Sequence, residues 1–129
     1  MATRGKCSLT LVFRNGGKND LAIAESSLLD ADTVWSPGQQ PPQKLSRQSA
    51  VSIGIQGKAA KRIGLQLRLA SGADTLAISA TMDPASNAVT LEPAPAGGPS
   101  GTGKLRVSWA LIDDEEPSFQ IWQGDLVMG

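Results

Sequence analysis

Four stretches of the chain alternate apolar and polar residues with period two, and each is bounded by Gly, Pro, Asn or Asp residues that discourage helix. Alternation of this kind turns one row of side chains toward a core and the other toward water, as half-buried strands require. In residues 63–69, Ile63, Leu65, Leu67 and Leu69 fall on one face and Gly64, Gln66 and Arg68 on the other. Leu105, Val107, Trp109 and Leu111 repeat the pattern, with Lys104, Arg106 and Ser108 outward. Cys7, Leu9, Leu11 and Phe13 form a third inward row, and Val51, Ile53 and Ile55 a fourth. The expected fold is all-β, a single-domain antiparallel β-sandwich of about eight strands at 7–14, 20–25, 49–56, 61–70, 74–82, 87–92, 104–112 and 118–123.

A chain of 129 residues suits one domain with one core. Asn15-Gly16-Gly17-Lys18-Asn19-Asp20 reads as the loop of a first hairpin and Ser71-Gly72-Ala73-Asp74 as a second reversal, because Asn-Gly and Gly positions accept positive φ. Residues 26–48 are less regular. A short helical turn fits residues 26–31, after which Pro37, Pro41 and Pro42 exclude a long helix or a central strand, leaving a connection that crosses between sheets or caps one end. Residues 93–103 are rich in Pro, Gly and Ala with no large side chain, and read as a mobile loop between two strands.

The absence of histidine excludes most catalytic chemistry, since it removes the usual general base and the commonest transition-metal ligand together. A Ser-His-Asp or Cys-His site cannot be built. The single cysteine, Cys7, allows no internal disulfide and no cysteine cluster for a metal; in phase with Leu9 and Leu11, it reads as a buried, inert thiol. No enzyme activity, cofactor or metal is expected. With 12 basic and 12 acidic residues, the chain has no general attraction for nucleic acid. Its start shows no leader pattern and no apolar run nears the ~18 residues of a membrane span, so cytoplasmic synthesis as a soluble protein is expected, with release to membrane surfaces open.

Gly98-Pro99-Ser100-Gly101-Thr102-Gly103-Lys104 satisfies the G-x-x-x-x-G-K core of a phosphate-binding loop. That chemistry needs a Ser or Thr next, to hold magnesium, and a helix whose N-terminus stabilises the anion. Leu105 and a period-two strand follow instead, so no nucleotide is expected. Trp109, Phe119 and Ile121 read as core. Trp122, of opposite parity to Phe119 and Ile121, is expected to point away from their face, and Trp35 sits in a Ser-Pro-Gly turn. Each indole could either contact a ligand or pack over a sheet edge. Asp113, Asp114, Glu115 and Glu116 read as a solvated turn or, with their oxygens, a calcium site. Lys58, Lys61 and Arg62 make a small basic patch suited to solubility or to a lipid headgroup.

The order of features resembles the aegerolysins and related crystal-protein and actinoporin-like β-sandwiches. The resemblance is carried by the Asn-Gly turn and by Trp35-x-Pro37, Pro41-Pro42-Gln43-x-Leu45 and Ser49-x-Val51-Ser52. Gly64 at a strand start and Asp83-Pro84-Ala85-Ser86-Asn87 complete it. It implies a cytolysin- or toxin-like protein that binds membrane lipid, in some members with a larger pore-forming partner protein. Under that reading Trp35 and Trp122 insert at the interface, with Lys58, Lys61 or Arg62 near a phosphate. The alternative is a carbohydrate-binding lectin, or a self-assembling homo-oligomer, in which Trp122 stacks on a glycan or fills an interface. An enzyme comes third, and would need a separated carboxylate pair such as Asp83 and Glu92.

Overall fold

The computed structural model describes residues 6–30, 32–58, 61–83, 88–101, 103–116 and 119–128; residues 84–87 of the loop motif and the Lys58 side chain lie outside the described parts. Ten strands follow one another: β1 (Lys6–Asn15), β2 (Leu21–Leu28), β3 (Val34–Trp35), β4 (Lys44–Leu45), β5 (Ser49–Lys58), β6 (Ile63–Ser71), β7 (Asp74–Asp83), β8 (Ala88–Glu92), β9 (Leu105–Glu116) and β10 (Phe119–Met128). They form two five-stranded sheets, ordered β3-β5-β1-β10-β9 and β4-β2-β6-β7-β8. All pairings are antiparallel except β1 with β10, which run parallel and join the two ends of the chain.

The inward rows read from alternation are the core. Cys7, Leu9, Leu11 and Phe13 of the first sheet face Ile63, Leu65, Leu67 and Leu69 of the second, all at most 1% exposed. Ile53 and Ile55 are buried with them and Val51 is half-buried. Phe13 and Trp109 meet edge to face across β10, with ring centroids 5.9 Å apart. The strand between them carries Gly124, where a Cβ would come within 3.0 Å of Trp109 and 3.1 Å of Phe13, so that any side chain there would press on both rings.

Several expectations are corrected. The Asn15–Asp20 loop closes no hairpin: β1 and β2 lie in different sheets, and none of the described positive-φ residues falls in it. Residues 26–28 continue β2 instead of opening a helical turn, because they pair with Leu65, Gln66 and Leu67 of β6. The acidic run is strand, not turn, since β9 extends through Glu116 against β10. Leu111, in phase with Val107, is 44% exposed because the inner row of β9 is no longer covered beyond Trp109.

The parity of β10 is also reversed. Its inward row is Gln120, Trp122, Gly124 and Leu126, after register shifts against β9 between Phe119 and Trp122. Trp122 lies beside Leu11 and packs on the core, and its indole N–H donates to Oε1 of the buried Gln120 at 2.9 Å. Phe119 and Ile121 take the outward row.

The connections close both open sides of the sandwich. Residues 33–45 cross from the edge of one sheet to the edge of the other, as expected for a crossing segment. On the opposite side, residues 93–101 are fastened to β9: Ser100 and Val107 exchange backbone hydrogen bonds of 2.7 and 3.0 Å. There the Trp109 indole also donates to the Pro93 carbonyl at 2.8 Å. Among the described residues, the segment before Leu105 leads into the edge of β9 and opens no helix whose N-terminus could hold a phosphate.

Candidate functional site

At the end of the sandwich where β1 finishes and β9 begins, a cleft of about 600 Å³ opens between loops. Its floor is the top of the core: Leu21, Leu105 and Leu126 are each no more than 4% exposed. Val127 and Met128, 36% and 45% exposed, form an apolar lip. Arg14 and Lys18 supply positive charge at the rim and Asp125 the one carboxylate among the lining residues.

The loop that walls the cleft is held from behind. Asn15 is 3% exposed and works as a hub: its Nδ2 donates to the carbonyls of Asn19 at 2.9 Å and Leu45 at 3.1 Å, and its Oδ1 accepts from Gly17 N–H at 3.0 Å. Gln48, a non-glycine residue at φ 57°, donates from Nε2 to the carbonyls of Gly16 (2.8 Å) and Gly17 (2.9 Å). Asp20 accepts from Arg47 N–H at 2.8 Å and from Lys44 Nζ at 3.4 Å. The Arg47 amide first, and then the Lys44 ammonium, hold the Asp20 carboxyl below its ordinary pKa. The wall is therefore a fixed shape built from the turn between β4 and β5.

The charges at the rim are loosely engaged. Arg14 Nε stands 3.9 Å from Asp125 Oδ1, with the two side chains 60% and 47% exposed, a pairing of little strength in water. Asp125 Oδ1 also accepts from Gln123 Nε2 at 3.0 Å. Lys18 is exposed and forms no ion pair among the described residues.

The residues singled out from the sequence lie elsewhere. Lys61 and Arg62 are exposed at the opposite end, in the connection between β5 and β6, and Lys58 ends β5 there. Arg62 Nε lies 3.9 Å from Asp30 Oδ2. Trp35, opposite Ile55 on edge strand β3, is half-buried against the core, as is Trp122 in β10. Their registers put both indoles on the inward side of one sheet, with β5 and β1 between their strands. Cys7 is buried, and burial pushes its thiol pKa up despite a backbone hydrogen bond at Gly57. Asp83 and Glu92 sit at the two ends of the β7–β8 pair, Asp83 opposite Ala88 and Glu92 opposite Ser79.

Sequence reading missed the cleft because its lining comes from five strands and one loop, none with a motif of its own. The signal present is the cation-bearing Asn-Gly-Gly-Lys-Asn loop, whose composition by itself specifies only a turn. No group of three or more His, Cys, Asp or Glu side chains suited to a metal occurs among the described residues, and no described helix is long and apolar enough to cross a membrane.

Neither a protein-family model nor a curated protein matches the sequence. Among solved structures, the chain is similar to the crystal structure of the lipid-binding protein Nakanori. The TM-score is 0.66 at 7% sequence identity, over 94% of this chain and 71% of that one. At that identity the likeness is one of fold: the chain shares a β-sandwich with a lipid-binding protein.

Proposed function

We propose that this protein is a non-enzymatic lipid-binding module that takes part of a membrane lipid into the cleft between Arg14, Lys18 and Met128. The observation that carries the reading is the cleft itself. An apolar floor continuous with the core, an exposed apolar lip and a cationic rim on a rigid loop suit a molecule with one greasy and one charged part. The shared fold with a lipid-binding protein supports it. The loop spacing that resembles the aegerolysins extends the reading to a cytolysin-like role, with a pore-forming partner as the natural companion.

The alternative contact set for the same function is Lys58, Lys61 and Arg62 at the other end of the molecule, with the half-buried indoles of Trp35 and Trp122. Co-sedimentation with vesicles of sphingolipid, anionic and zwitterionic composition tests both. Wild type is expected to sediment with at least one composition, and Arg14→Ala with Lys18→Ala is expected to release it while Lys61→Ala with Arg62→Ala and Trp35→Ala do not. Failure to sediment with any composition would overturn lipid binding. Release by the second set alone would move the site to the opposite end.

A further inference from the structure

We infer that the cleft selects amphiphiles with a compact anionic headgroup, phosphate or carboxylate, and that Asp125 sets the strength of that preference; this rests on the lipid reading above. The protein as a whole carries no net charge, so any preference for headgroup charge has to be local. Locally, Arg14 and Lys18 face a single lining carboxylate, that of Asp125. Lys18 is uncommitted among the described residues, whereas Arg14 has the Asp125 carboxylate 3.9 Å away. That pair is exposed and long, which makes it easily exchanged. An arriving anion replaces Asp125 as the partner of Arg14 and meets Lys18 unopposed. Asp125, which keeps the Gln123 amide as a donor at 3.0 Å, can give up the arginine without being left bare. In this arrangement Asp125 is a specificity-determining residue: it competes with the ligand for Arg14 and so limits binding of anions, while any ligand bearing an ammonium group gains from it.

The test uses the full chain and vesicles of phosphatidylcholine with and without phosphatidic acid, read as the ratio of the two affinities. Wild type is expected to favour the phosphatidic acid vesicles. Lys18→Ala is expected to lower the ratio about fivefold, the effect of one cation near an anionic surface, and Asp125→Asn to raise it by a similar factor. Both effects are expected to shrink at high salt. Both positions are exposed, and an unchanged near-ultraviolet circular dichroism spectrum verifies the fold of each variant. Inhibition by inorganic phosphate and binding of a soluble short-chain phosphatidic acid would assign recognition to the headgroup anion itself and support the inference, whereas binding to vesicles alone would assign it to the anionic membrane surface and overturn selection by the cleft. If wild type binds no vesicle, lipid binding fails and this inference with it. If it binds but the ratio stays put in both variants, or Asp125→Asn lowers it, the anion preference alone is overturned.

Discussion

Asn15 has the sequence context of an exposed turn residue, ahead of two glycines, yet it is among the few polar side chains in the protein's interior. Its amide can serve three backbone groups at once because a primary amide offers two donors and an acceptor from one planar head. Replacing it with Ala removes three hydrogen bonds and leaves the Leu45 carbonyl, reached by a buried bond of 3.1 Å, without this donor. Asn15→Ala is expected to cost about 2–4 kcal/mol, from ~1 kcal/mol per bond and the penalty of a stranded polar group. Urea unfolding measures it. A cost within experimental error of zero would show that water replaces the amide and that the cleft wall is not held from Asn15. Cys7 illustrates the opposite outcome, a residue whose place followed directly from its phase with Leu9 and Leu11.

At the scale of elements, the short strand β4 is held by more than its ladder. It has two residues, and its pairing with β2 involves only Leu21 with Leu45 and Ala22 with Lys44. Asp20 fastens it by accepting from the Arg47 amide and the Lys44 ammonium, and these lower its pKa in the folded protein. A carboxyl with a depressed folded pKa contributes stability that is complete above the unfolded value, near pH 4, and is lost as pH falls through the folded value. The difference in urea midpoint between wild type and Asp20→Asn is therefore expected to persist at neutral pH and to close below about pH 4. Because the site is solvent-exposed, added salt should narrow it as well. A gap that does not change with pH would assign the effect of the substitution to something other than this carboxylate.

The same short elements mark how much of the fold was legible. Long strands with one greasy row, such as Ile63 to Leu69 in β6 and Leu76 to Met82 in β7, announce both their existence and their inward face. Two-residue strands carry no periodicity, so β3 and β4 were seen only as parts of a crossing segment. β10 misled because its inner row includes Gln120 and Gly124 while its outer row includes Phe119 and Ile121. Polarity gave the wrong face where a buried glutamine is satisfied by Trp122 and a glycine makes room for two rings. The cleft was illegible for a different reason: Arg14, Lys18, Leu105 and Met128 meet only through the parallel pairing of β1 with β10 and the pairing of β9 beside it.

Considered as a whole, the molecule has two sheets and so four edges, each of which offers unpaired backbone groups to another copy. Three end in a short strand. β3 and β4 have two residues each, and β8 has five and is followed directly by Pro93. β9 is the exception, a twelve-residue strand, of which the start is capped by the Ser100–Val107 bridge. What remains open, from Trp109 onward, includes the exposed Leu111 and Ile112 and ends in Asp113, Asp114, Glu115 and Glu116. Two copies pairing antiparallel with residues 113–116 centred on each other would set acids against acids. Like charges set opposite one another across a ladder are destabilising, so the acidic run guards the longest edge strand against that register. Replacing all four acids by their amides, Asp113→Asn, Asp114→Asn, Glu115→Gln and Glu116→Gln, is expected to produce a mass that rises with concentration in light scattering at neutral pH. The wild type is expected to hold a constant mass over the same range. The variant's near-ultraviolet spectrum should match the wild type, since the Phe13–Trp109 contact lies at the Gly124 pairing and does not include the substituted residues. A variant whose mass stays constant would mean that the twist and exposure of β9 protect the edge without help from its charge.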